Sequence, residues 1–211
     1  MNFQGGSFAD STGVPASGSV NVYANTISPD QANFGNAMPG GDFSATDNSG
    51  QNGVLTSFGA LNIGVEDQGG NNLEVTVPYD ICLDIPVSMS TAASSLTSMP
   101  VWQMRNGVWQ EAATATKVGN QFCFQYTGTG SLNCDLFGRT ALLEGRACSV
   151  SAGIPEAEFT VNGQIKTYSD SQGNFSAIVP AGNLTITTPS GQQITATADA
   201  GAVVPVEYGM C

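Results

Sequence analysis

The residues of this chain whose types could do chemistry are five cysteines and a scatter of carboxylates. The cysteines, Cys82, Cys123, Cys134, Cys148 and Cys211, form no C-x-x-C pair, and the chain contains no histidine. A structural zinc site is therefore disfavoured, and disulfides formed in an oxidising compartment are expected instead. The missing imidazole also removes Ser-His-Asp and Cys-His catalysis. Asp80 with Asp84, and Glu156 with Glu158, have the residue types of a glycosidase dyad. Single aromatics, Tyr79 and Phe159, stand near them rather than a sugar platform, so solvated strand edges are the better account. Asp42, Asp47 with Asn48, Asp67 with Asn71 and Asn72, and Asp170 with Asn174 have the oxygen-rich make-up of calcium loops. None has EF-hand spacing, and Asx turns explain them without an ion. Calcium is the sole metal candidate, and no other cofactor is expected. Gly40-Gly41 and Gly69-Gly70 lack the following helix and lysine of a phosphate cradle.

The elements that hold these residues must be built from a polar but weakly charged chain. Of 211 residues, 41% are hydrophobic, enough for a core, while only 10% are charged, against about 25% in typical domains. Seventeen acids oppose five bases, for a net charge of −12. The bases, Arg105, Lys117, Arg139, Arg146 and Lys166, are scattered singly, which argues against nucleic acid and anionic membranes. No apolar run is long enough to span a bilayer, so membrane insertion is not expected. Met1-Asn2-Phe3-Gln4 does not open a signal peptide, so an exported form is expected to be a mature or excised chain.

Short alternating segments punctuated by Gly, Asn, Asp and Pro predict antiparallel β structure throughout. Val20 and Val22 share a face of a first strand, and Gly53 to Glu66, with two apolar groups at Val54-Leu55 and Leu61-Ile63-Val65, reads as a hairpin with Leu73 to Val77 about Asp67 to Asn72. Ile81, Leu83 and Ile85 share the next face, while Ser88 to Ser98 lacks an apolar stripe and reads as a loop or single turn. Asn106-Gly107 predicts a tight hairpin. Phe122, Phe124 and Tyr126 align on one strand, and Ser131 to Asp135 forms another. With the turn between them centred on Gly128-Thr129, Cys123 and Cys134 face each other, although Cys82 is an equal partner for either. Residues 138–143 read as a linker between a domain at 1–137 and a domain at 144–211, where seven short strands suggest a compact sandwich or barrel. Cys148 and Cys211 flank that second domain, and a bridge between them would fasten its terminus. Trp102 and Trp109 lie on adjacent predicted strands, as core anchors or as a sugar-stacking surface.

Three strings carry a family resemblance: Gly145-Arg-Ala-Cys-Ser-Val150, Gly153-Ile-Pro-Glu-Ala-Glu-Phe-Thr-Val161, and Tyr168-Ser-Asp-Ser-Gln-Gly-Asn-Phe-Ser-Ala-Ile-Val-Pro-Ala-Gly182. Residues 144–208 resemble a carboxypeptidase regulatory-like domain, which implies a transthyretin-like sandwich and no peptidase activity. Asp170 and Gly173 then build a turn, Phe175 enters the core, and Gly182 takes a conformation that a Cβ disfavours. The N-terminal part resembles regions that accompany such domains in large bacterial surface proteins. The strings concerned are Met38-Pro-Gly-Gly-Asp-Phe-Ser-Ala45, Leu55-Thr-Ser-Phe-Gly-Ala60, Met99-Pro-Val-Trp-Gln-Met104, Asn106-Gly-Val-Trp-Gln-Glu111 and Ser131-Leu-Asn-Cys-Asp135.

The expectation is an all-β chain of two consecutive antiparallel β-sandwich domains. Its expected role is non-catalytic, structural or adhesive, extracellular or on a bacterial cell surface. Its partners would be copies of itself or other surface proteins, with open strand edges supporting a fibre. A carbohydrate- or peptide-binding module is the alternative.

Overall fold

Alternation of apolar and polar residues at period two becomes strand almost everywhere in the protein, a computed structural model describing residues 1, 3–41, 43–150 and 152–210. The first strands are β1 (Phe8–Ala9), β2 (Asn21–Ile27), β3 (Ser44–Thr46), β4 (Asn52–Glu66), β5 (Glu74–Val75) and β6 (Tyr79–Asp84). Then come β7 (Ser98–Arg105), β8 (Val108–Val118), β9 (Gln121–Tyr126), β10 (Gly130–Gly138), β11 (Thr140–Ser149) and β12 (Ala152–Gly153). The remainder are β13 (Glu158–Val161), β14 (Ile165–Tyr168), β15 (Asn174–Pro180), β16 (Gly182–Thr187), β17 (Gln193–Ala198) and β18 (Val203–Gly209). Among the described residues, helix is confined to single turns, at Phe34–Ala37 and within the serine-rich run at Val87–Met89 and Ser90–Ala93. The chain is all-β.

It divides into two compact units, Met1–Pro39 with Ser57–Leu136, and Gly40–Thr56 with Phe137–Cys211. The first unit is built on a sheet of order β2-β4-β10-β7-β8-β9-β6. Tyr79, Ile81 and Leu83 of β6 and Phe122, Phe124 and Tyr126 of β9 bury their alternate positions in one cluster with Leu61, Ile63 and Val65 of β4. Phe58 on β4 meets Phe122 on β9 edge to face at 5.9 Å, although three strands separate them in the sheet. The sheet therefore curls around its own core.

Two local devices set this register. Asn106 and Gly107, at φ 53° and 80°, make the tight turn between Arg105 and Val108, as Asn-Gly predicts. Gly59, at φ 121°, interrupts β4 where the inward parity changes from Phe58 to Leu61, so one fifteen-residue strand carries both apolar groups. The turn at Asp67 to Asn71 returns the chain beside β4, with the Leu73 N–H on the Val65 carbonyl at 2.8 Å. β5 then pairs with β1.

The second unit contains two four-stranded sheets, one of β12-β11-β15 with β18 beside β11, the other β14-β13-β16-β17. All pairs here are antiparallel except β11 with β18, which run parallel. Phe159 of β13 stacks on Phe175 of β15 at 4.0 Å and meets Tyr208 of β18 edge to face at 5.7 Å, joining the sheets across their core. The implied role of Phe175 as a core residue is what the structure shows.

Residues 138–143 are not a linker. Gly138-Arg139 breaks the apolar alternation in the sequence, yet Ala141 and Leu143 resume it and are buried on β11. The expected boundary at 137 also separates residues that fold together. Residues 40–56 join the second unit, where Phe43, Ala45 and Val54 are buried and a Cβ on Gly53 would strike the Phe137 ring.

Candidate assembly edge and buried polar cluster

The cysteines pair differently from the arrangement across the Gly128-Thr129 turn. Cys82 of β6 lies directly opposite Cys123 of β9 and is joined to it by a disulfide, with a Cα separation of 4.1 Å. Cys134 faces Val101 of β7 instead, because β10 leaves the β9 hairpin partner and inserts between β4 and β7. Its thiol is free and buried, and desolvation pushes its pKa up. Cys148 is buried on β11, where Gly209 pairs with it and the Met210 N–H reaches its carbonyl at 3.2 Å. Cys211, its expected partner, lies outside the described residues. Replacing Cys82 and Cys123 together by serine is expected to lower unfolding free energy by about 4 kcal/mol, from the loop entropy of a 41-residue separation. Urea titration checks this, and an unchanged midpoint would contradict it.

The carboxylate pairs do not converge. Asp80 and Asp84 lie on the exposed side of β6, accepting from Gln125 Nε2 at 3.1 Å and Gln121 Nε2 at 2.8 Å across the strand. Glu158 pairs with Lys166 Nζ at 2.9 Å and accepts from the Tyr168 hydroxyl.

The acidic loops share one geometry. In Asp10-x-x-Gly13, Asp47-x-x-Gly50, Asp67-x-x-Gly70 and Asp170-x-x-Gly173, each aspartate Oδ1 accepts from the backbone N–H two and four residues on, at 2.8–2.9 Å. Each glycine donates back to the aspartate carbonyl at positive φ. The carboxylate oxygens thus serve the turn, while Asp42 lies outside the described residues. No three metal-ligating side chains cluster among the described residues.

Hydrogen bonds hold all four carboxyls below the ordinary aspartate value of 3.8: first from the Thr12 and Ser49 hydroxyls, the Asn71 side chain and the Asn174 N–H respectively. Because the folded pKa is depressed, this stabilisation is complete above about pH 4 and is lost as pH falls through the folded values. A variant with asparagine at positions 10, 47, 67 and 170 keeps the acceptor and loses the titration. Its melting temperature is expected to fall less than that of the parent between about pH 5 and about pH 2; parallel curves would refute the assignment.

Both indoles are buried. Trp102 and Trp109 are 0% and 1% exposed, so neither offers a stacking face to a sugar. Trp102 Nε1 donates to the Asp135 carbonyl at 3.1 Å. That bond opens onto a cluster that no sequence expectation assembled. On β10, Leu132 and Cys134 face the apolar core, so Asn133 and Asp135 face the other way, and both are fully buried. Ser57 of neighbouring β4, also buried, donates to Asn133 Oδ1 at 2.9 Å. Asn133 Nδ2 donates to Asp135 Oδ2, and Asp135 Oδ1 accepts from the Phe58 N–H at 3.1 Å. Burial raises the Asp135 pKa well above the usual carboxylate range, against the lowering effect of hydrogen bonds from Ser57 and Phe58.

The exposed edges differ in character. β2 ends the large sheet with six of its seven residues exposed and contains no charge and no proline. β6, at the other end, presents Asp80 and Asp84 between Pro78 and Pro86. Charges and prolines discourage strand addition, so β6 is guarded and β2 is open. In the second unit β17, Gln193–Ala198, ends its sheet and is likewise uncharged.

No helix among the described residues is long and apolar enough to cross a membrane. No protein-family model and no curated protein matches the chain. Among solved structures, it is similar to a DUF3823 family protein from Parabacteroides merdae, with 16% identity over 33% of this chain and 46% of that one, TM-score 0.28. The Bacillus anthracis TIE protein matches at 12% identity over 76% of this chain and 45% of that one, TM-score 0.29. BcpA, the major pilin subunit of Bacillus cereus, matches at 8% identity over 96% of this chain and 76% of that one, TM-score 0.29. The chain spans less than half the length of the first two.

Proposed function

We propose that this chain is a non-catalytic structural or adhesive protein, extracellular or on a bacterial cell surface, that assembles by pairing strand edges between copies. The observation that carries this reading is β2, an exposed, uncharged and proline-free edge strand whose Val22, Tyr23, Thr26 and Ile27 favour strand. Pairing β2 with β2 would close a dimer, whereas pairing β2 with β17 of the next copy is head-to-tail and extends a fibre when its rotation does not close a ring. The guarded β6 leaves the large sheet one growing edge. A low charge content and a net charge of −12 suit a solvated extracellular surface. The carboxypeptidase regulatory-like reading of residues 144–211 belongs to this proposal. It is supported by the Asp170-to-Gly173 turn, by buried Phe175 and by Gly182 at φ 120°.

Electron microscopy and light scattering over a wide concentration range test the assembly. Filaments are expected from the parent protein, with their loss in a Val22→Lys, Thr195→Lys double variant whose circular dichroism is unchanged. A strictly monomeric parent would overturn the fibre.

A further inference from the structure

Ser57, Asn133 and Asp135 have no part in strand-edge assembly, yet the fold spends a fully buried site on them. Isolating a hydroxyl, a carboxamide and a carboxyl group from water is unfavourable unless each is satisfied by the others. Two strings singled out in the sequence, Leu55-Thr-Ser-Phe-Gly-Ala60 and Ser131-Leu-Asn-Cys-Asp135, bring them together on adjacent strands. The chemistry in that site is a nucleophile, an acyl group and a proton carrier. The Ser57 hydroxyl sits against the Asn133 carboxamide oxygen, and the carboxamide nitrogen sits against the Asp135 carboxyl.

We propose that Ser57 and Asn133 become joined by an intramolecular ester bond, formed once by the folded protein, with Asp135 carrying the proton. The Asp135 carboxylate takes the Ser57 proton as Oγ attacks Cγ of Asn133, giving a tetrahedral intermediate. The protonated Asp135 then returns that proton to Nδ2, the C–N bond breaks, and ammonia leaves. The new bond is Oγ–Cγ, and Asp135 ends as it began. No oxidant or external reactant is required. A carboxylate desolvated by burial is a stronger base, and its conjugate acid lies beside the departing nitrogen. Holding the groups in contact replaces an encounter with an intramolecular step, worth effective molarities on the order of 10⁵ M or more, which offsets the poor reactivity of an amide. Water, which would compete as nucleophile, is excluded by burial of all three side chains.

The inference is independent of assembly and is tested by intact-mass spectrometry of the purified, reduced chain. The expected mass is lower than that of the sequence by one ammonia, about 17 Da, in keeping with an amide nitrogen displaced by a covalent nucleophile. Tandem spectra should show one branched peptide containing residues 57 and 133, separable by alkaline hydroxylamine. Ser57→Ala and Asp135→Ala should each restore the full mass. A parent protein at full sequence mass would overturn the proposal, even if neither variant folds. So would a mass loss that persists in Ser57→Ala, since that would place it in a succinimide at Asn133.

Discussion

Substituting Trp102 by alanine is expected to remove about 3–5 kcal/mol of unfolding free energy, the range for emptying a buried indole site. The ring is fully buried on β7, opposite Asn133 of β10. Its N–H also satisfies the Asp135 carbonyl, which would be left without that donor. The comparison with Trp109 separates packing from hydrogen bonding. Trp109 is equally buried, but its Nε1 has no hydrogen-bond partner among the described residues. Phenylalanine at 102 should therefore be destabilising by about 1 kcal/mol more than phenylalanine at 109, in addition to any difference in packing. Urea unfolding of the three single variants measures this order. Equal losses for the two phenylalanine variants would mean that the bond to Asp135 contributes nothing net.

Gly173→Ala is the second large effect, expected at about 3 kcal/mol or more. Gly173 lies at φ 86°, and a Cβ there would stand 2.2 Å from the Ala147 carbonyl oxygen and 2.8 Å from the Gly153 Cα. Neither neighbour is a side chain that can swing away. The opposing Gly153 is equally confined, since its own Cβ would lie 2.0 Å from the Gln172 carbonyl. These two glycines let the backbone of the Asp170 turn press against β11 and β12, with the Ala147 N–H on the Gly173 carbonyl at 2.8 Å. Gly13 and Gly50 occupy the same place in the same turn, at φ 85° and 80°, with open space around them. Alanine at either should cost about 1–2 kcal/mol, the strain of the left-handed conformation alone. Chemical denaturation of the three variants distinguishes crowding from conformation, and similar losses at all three would rule out the close approach.

Local chemistry made much of the fold legible. Asn106-Gly107 and the Asp-x-x-Gly turns are specified by residues within a few positions of one another, and the alternation of Tyr79 to Ile85 and of Phe122 to Tyr126 names the inward face. Long-range partnership was not legible. Cys123 and Cys134 lie on strands that follow one another in sequence, which suggests a hairpin, but β10 inserts between β4 and β7 and leaves Cys82 as the partner. Nothing local distinguishes these arrangements, because the hydrophobic pattern of β10 is the same beside either neighbour. Ser57 and Asn133 are 76 residues apart, each in a short string that reads as ordinary strand. The one local hint was two polar residues, Asn133 and Asp135, at alternate positions in a strand whose other neighbours are apolar. Such a pair reads as a solvated face unless the sheet is covered on both sides.

The assignment of residues 40–56 to the second unit bears on how this architecture can be inherited and exchanged. A unit made from two separated stretches cannot be copied into another protein by one contiguous insertion, because a segment beginning at 137 leaves behind β3 and the opening residues of β4. A contiguous segment that carries either unit whole also carries part of the other. A single cut at 137 is expected to leave the downstream product without buried Phe43, Ala45 and Val54, and therefore with exposed apolar surface. The two units are best transferred or fused together.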